Sequence, residues 1–175
     1  MKRNIYLILL GVLALSFGFT SCDKLDGLDD YKSVEIGGTA TQKLCGEYFV
    51  TLDAFDGTNW VVDAYSQGYV KVLVYNTAND RADSVWFNDL KFWPTLARIS
   101  CKATTAEFTA CTADNLSKAG ETVTVTSGKV IPNGCYTAAN NITDSLVIEL
   151  EWSDDAGSLY RYAGYKRTGF LEDEH

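Results

Sequence analysis

The residue types that usually carry catalysis are scarce or badly placed in this chain. Its single histidine, His175, is the last residue. A Ser-His-Asp triad needs an imidazole held by packing and by a second hydrogen bond, and a terminal residue beyond Glu172-Asp173-Glu174 is expected to be mobile. A histidine-based zinc site fails for the same reason. Glu149 and Glu151 share one face of a predicted strand, and glycosidases use paired carboxylates. Acids at alternate positions are also what any half-solvated strand shows. Asp154-Asp155 with Asp53, Asp56 or Asp63 would offer calcium the hard oxygen ligands it prefers. They lack EF-hand spacing and read as solvated turns. No catalytic residue, metal or cofactor is assigned.

The cysteines carry more information. Cys22 follows Thr20-Ser21 at the end of an apolar run, Ile5–Leu15, that is itself preceded by Lys2 and Arg3. A basic start and an apolar run of about 7–15 residues are the marks of a signal peptide, and the run is too short to span a bilayer. A cysteine behind a small residue fits a bacterial lipobox: the thiol takes a diacylglycerol and the small residue admits the signal peptidase. Phe19 departs from the leucine usual there. The expected division is a signal peptide at 1–21, a lipidated acidic tether at 22–42 and a domain at 43–175. Asp23, Asp26, Asp29 and Asp30 make the tether acidic. It reads as a solvated linker or as a sorting signal, which leaves the cell surface and the periplasmic face of the outer membrane both open.

Cys45, Cys101, Cys111 and Cys135 remain, an even number in an oxidising compartment. At least one disulfide is favoured over buried free thiols, with the pairing undetermined. No Cys-x-x-Cys spacing suggests metal or redox chemistry.

Composition bounds the partner. All 23 acids and 13 of the 15 bases lie after residue 21, a formal charge of −10. Such a surface argues against nucleic acid and against electrostatic docking on anionic lipid, leaving the lipid anchor as the link to a membrane. The chain is 46% hydrophobic and 13% aromatic, which suits one globular domain.

Those residues must be positioned by strands. Tyr69–Thr77 alternates, with Val70, Val72 and Val74 on one face; Ser145–Ser153 puts Leu146, Ile148, Leu150 and Trp152 on one face. Cys45–Phe55, Asp83–Asn88, Leu96–Lys102, Glu107–Cys111 and Ser158–Lys166 read as further strands. Glu121–Thr126 and Lys129–Ile131 flank Ser127-Gly128, a tight-turn signal. Eight or nine short, sequence-adjacent strands settle as a β-sandwich or as an up-and-down barrel, and closure leaves no open edge.

Several stretches match a known pattern: Gly46-Glu47-Tyr48-Phe49-Val50, Val72-Leu73-Val74-Tyr75-Asn76-Thr77, Asp83-Ser84-Val85-Trp86, Val123 to Lys129, Thr143-Asp144-Ser145-Leu146 and Arg167 to Asp173. In this order and spacing the chain resembles a family of Bacteroidetes lipoproteins catalogued as lipid-binding putative hydrolases. The resemblance implies an all-β, antiparallel, eight-stranded, calycin-like barrel with an apolar interior. It also implies a lipocalin-like closure, in which Arg167 of the last strand stacks on Tyr48 in the place of a Gly-x-Trp indole; Arg161 and Lys166 are rival bases.

Most aromatics are expected in the core. Trp60, in a loop after Phe55-Asp56-Gly57-Thr58-Asn59, is the first candidate for a barrel-mouth contact, followed by Phe92 and Trp93 before Pro94, and by Trp86. The expectation is a membrane-anchored protein binding a small apolar ligand, a lipid or fatty acid, inside a barrel. The alternatives are a non-catalytic accessory subunit of an envelope complex with a filled barrel, and a glycan-binding lipoprotein.

Overall fold

The structure is a computed structural model and describes residues 38–175. The signal peptide, Cys22 and most of the acidic tether lie outside the described residues.

Among the described residues ten strands form: β1 (Gly46–Phe55), β2 (Trp60–Val61), β3 (Val70–Asn76), β4 (Ser84–Asp89), β5 (Thr95–Lys102), β6 (Glu107–Phe108), β7 (Cys111–Asp114), β8 (Thr122–Tyr136), β9 (Ile142–Trp152) and β10 (Tyr160–Lys166). Every pairing is antiparallel, and β6 and β7 share one place in the order, both pairing with β8. β10 returns to β1, from Tyr48↔Lys166 to Ala54↔Tyr160. This closes an eight-stranded up-and-down barrel and sets aside the sandwich. β2 is a short addition beside the end of β1.

Alternation decides what lies inside. Tyr48, Val50 and Leu52 of β1 point inward with Val72 and Val74, Val85 and Phe87, Leu146, Ile148, Leu150 and Trp152, and Tyr162; all are at most 2% exposed. Burying each aliphatic side chain contributes about 1.5–3 kcal/mol. The interior is thus packed with large side chains, as small eight-stranded barrels often are.

Two elements differ from the sequence reading. Ser127-Gly128 is not a turn: β8 runs through it for 15 residues, bulged between Val125 and Ser127 and again between Ile131 and Cys135. Gly128 serves close approach instead, since a Cβ there would sit 2.7 Å from the Val147 carbonyl oxygen. The predicted strand Glu107–Cys111 is broken at Thr109-Ala110 into β6 and β7.

The chain end is also placed. His175 stacks on Tyr69 with ring centroids 4.7 Å apart, lies edge-on to Phe49, and hydrogen-bonds Tyr165. Packing against three rings holds a residue that sequence position alone makes mobile.

Candidate functional site

Strand directions gather the segments 56–69, 90–94, 115–121 and 153–159 at one end of the barrel. Two buried carboxylates organise this mouth. Asp89 ends β4, where an aspartate side chain readily accepts amides of the following turn. One of its oxygens accepts the N–H groups of Lys91 and Phe92 at 2.8 and 3.0 Å; the other accepts Trp93 N–H at 2.9 Å and the Tyr162 hydroxyl. Burial and the facing Asp89 carboxylate push the Tyr162 hydroxyl well above its ordinary pKa.

The loop so fixed lays Trp93 on Trp152, stacked at 4.8 Å and 13°. The Trp152 indole N–H donates to Thr95 Oγ1 at 2.9 Å, and that hydroxyl donates to the Trp93 carbonyl at 2.6 Å. Phe92 leans on Tyr162, centroids 6.4 Å apart.

Asp53 of β1 organises the opposite wall. It accepts Arg161 Nε and Nη2 at 3.0 and 2.7 Å, Thr51 Oγ1 at 2.9 Å and Asp63 N–H at 3.0 Å. Arg161 lies 4.4 Å over the ring of Trp60. Trp60 is therefore clamped between this guanidinium and Phe55, 5.3 Å away, rather than left free to meet a ligand. Asp63 turns the chain with φ of +48° and accepts the amides of Gln67 and Gly68. Tyr65 then hydrogen-bonds Tyr160, hydroxyl to hydroxyl at 3.0 Å.

Between these walls lies a recess of about 210 Å³ lined by Leu52, Tyr65, Gln67, Lys91, Phe92 and Trp93. Ligand sites span roughly 300–1,000 Å³, so it accommodates the end of a chain or one ring. Phe92 and Trp93 belong to it, while Trp86 does not. Trp86 faces outward from β4 into a separate groove of about 860 Å³. Leu52, Tyr65 and Asp89 escaped sequence reasoning, and Asp53 stood out only as a possible calcium ligand; the aspartate before a loop was the available signal for Asp89.

The Tyr48–Arg167 closure is not formed. Tyr48 points inside and donates its hydroxyl to the Leu44 carbonyl at 2.9 Å, whereas Arg167 binds Glu47 and Glu174. Arg167 is in register with Glu47, whose side chain is one residue off from Tyr48 and so on the outer face. An arginine does cover an indole, but it is the rival Arg161 over Trp60.

Cys45, Cys101, Cys111 and Cys135 are free thiols, so the favoured disulfide is not formed. Cys101 is in register with Phe108, which leaves Cys111 three residues beyond it. The Cys111 sulfur instead accepts Ser100 N–H at 3.2 Å. Of the carboxylates weighed for calcium, Asp53 takes Arg161, Asp154 takes Lys118, and Asp56 caps its own turn.

No curated protein matches the chain by sequence. The model of the lipid-binding putative hydrolase family matches residues 33–171, the whole barrel and the approach to it. With a closed antiparallel barrel now seen over that same stretch, the chain belongs to the lipid-binding putative hydrolase family.

Proposed function

We propose that the protein is a lipid-anchored, non-catalytic binding protein that takes the end of an acyl chain at the barrel mouth. The observation that carries this is the recess between Leu52, Tyr65, Phe92 and Trp93, open beside Lys91. It supplies an apolar floor, an aromatic wall and one cation, the complement of a fatty acid. The sequence suggested a ligand inside the barrel. The side chains of Tyr48, Phe87, Trp152 and Tyr162 fill that space, which supports a ligand at the mouth over one inside the barrel. In this reading Cys22 carries the anchor, and the protein sits on the outer membrane at the surface or the periplasmic face.

The test is fatty-acid uptake by the mature chain, residues 22–175, carrying Cys22→Ser so that it bears no acyl group of its own. Saturable uptake that Phe92→Ala weakens about tenfold, the loss of one buried aromatic contact of about 1.4 kcal/mol, supports the reading. No uptake, with the barrel intact, would favour the accessory-subunit reading that a filled barrel also suits.

A further inference from the structure

The larger groove runs along the outer faces of β4, β5 and β7, on the side wall of the barrel and away from the mouth. It exists because the wall is interrupted there. β5 pairs with β6 only at Cys101 and Lys102, and β7 pairs only with β8. Above the break, Leu96 is tied to Asn115 and Leu116, and Ser100 to Thr109 and Cys111. No such bond joins Arg98, midway between them, to β7. The strands part, and a cavity of about 860 Å³ opens, within the range of ligand sites.

The lining is selective. Trp86 and Arg98 are directly opposed across β4 and β5, which places their Cβ atoms about 4.5–5.5 Å apart on one face. Four arginines occur among the described residues. Arg81, Arg161 and Arg167 each bind a carboxylate. Among the described residues Arg98 has no carboxylate partner, although Asp83 and Asp114 line the same groove. Asp83 is taken by Arg81, which holds its carboxyl down at about 2. Half of the remaining lining is hydroxylic, with Ser100 and Thr112, and the other half includes Ala113 and Leu116.

This set excludes much. A groove with so few apolar side chains does not suit an acyl chain. The groove has no net positive charge to draw a polyanion such as nucleic acid, because Arg81 and Arg98 are balanced by two carboxylates. These carboxylates accept hydrogen bonds well from a polyhydroxylated ligand, and a guanidinium matches one planar carboxylate in bidentate fashion. We propose that the β4–β5–β7 groove binds a carboxylate-bearing sugar of the uronic acid class, with Arg98 holding the carboxylate and Trp86 the apolar face of the ring. This site is independent of the mouth recess.

The experiment is calorimetric titration of the mature Cys22→Ser chain with digalacturonate, with neutral galactobiose and with acetate. Saturable one-to-one binding of digalacturonate is expected. Arg98→Gln weakens it on the order of 10- to 100-fold, the loss of a charge-assisted pair, and leaves galactobiose binding unchanged. Trp86→Ala weakens both sugars. Fatty-acid uptake at the mouth stays as in the parent in both variants, which reports an intact barrel and keeps the two sites distinguishable. The proposal is overturned by no digalacturonate binding up to about 10 mM. Equal affinity for the neutral sugar, indifference to Arg98→Gln, or competition by acetate at the same concentration would each overturn it as well.

Discussion

Tyr162 of β10 donates its hydroxyl to Asp89 of β4 across the inside of the barrel. The two residues are 73 apart in sequence. The same carboxylate fixes the three amides that shape the Phe92–Trp93 loop, so one buried acid links barrel packing to the recess at the mouth. Tyr162→Phe removes one of four donors and is expected to cost about 1–3 kcal/mol. Asp89→Ala strands all four and is expected to cost more, and to abolish fatty-acid uptake with it. Urea unfolding read by tryptophan fluorescence measures both. A Tyr162→Phe variant as stable as the parent would show that the pair is not needed.

Arg161 and Asp53 make a second such link, on the outer side of the same end. The Asp53 carboxylate is 1% exposed, so Arg161→Ala leaves a buried charge without its partner. Breaking a buried pair in this way costs about 3–5 kcal/mol. The guanidinium also leaves the Trp60 ring, so the variant's tryptophan emission shifts in the native state. An unchanged unfolding midpoint together with unchanged emission would refute this account.

Local pattern and long-range pairing were unequally legible in the sequence. Ser145–Ser153 alternates so cleanly that β9 followed directly, as did β3 from Val70, Val72 and Val74. The closed barrel followed from strand number and from the family resemblance. Gly128 misled because glycine serves turns and close strand approach alike, and only the neighbouring β9 tells which. The resemblance implies an arginine stacked on Tyr48, which does not form; the arginine that does cover a ring, Arg161, covers Trp60 instead. Choosing between Arg161 and Arg167 required the β1–β10 register, which joins residues more than 100 apart and leaves no local trace. The mouth recess depends on Leu52, Tyr65 and Trp93 arriving from three segments. Only Phe92 and Trp93 advertised themselves, by standing in a loop before a proline.

Buried tyrosines set the alkaline limit. Burial raises the hydroxyls of Tyr48, Tyr160 and Tyr162 above the ordinary value of 10.0. A group with a raised folded-state pKa contributes stability that is complete below the unfolded value and is lost as pH rises through the folded one. The contribution of these three is therefore constant up to about pH 9–10 and is lost above it. In an absorbance titration at 295 nm, these three stay un-ionised until the barrel unfolds, so their ionisation coincides with loss of the native fold. A single reversible step for every tyrosine near pH 10 would contradict the burial.

The thiols test both redox state and packing. Burial pushes the Cys101 thiol up to about 11, and only the thiolate is nucleophilic. Cys101 is expected to resist iodoacetamide at pH 8 in the native state and to react once the chain unfolds. Alkylation in denaturant without reductant labels Cys45, Cys101, Cys111 and Cys135 alike. A mass that rises only after reduction would reveal a disulfide and reverse the free-thiol assignment.

At the other end of the barrel, Asp173 pins the chain terminus. It accepts Asn141 Nδ2 at 2.9 Å, Thr168 Oγ1 at 2.7 Å and Ala139 N–H at 3.3 Å. Burial works to raise its pKa, and hydrogen bonds from Thr137, Thr168, Asn141 and Ala139 outweigh it, bringing the carboxyl to about 2 from the usual 3.8. A depressed carboxylate contributes stability that is present above the unfolded pKa and is lost as pH falls through the folded one. Docking of the terminal segment is thus complete above about pH 4–5 and lost towards pH 2. The amide resonances of Thr168 to His175 are expected to move to unstructured positions across that window, as His175 leaves Phe49, Tyr69 and Tyr165. Asp173→Asn removes the charge at every pH, so the segment is loosened at pH 7 and its resonances no longer respond to acid. Persistence of the parent's native shifts down to pH 2, or an acid response that survives in Asp173→Asn, would assign the terminus to other contacts.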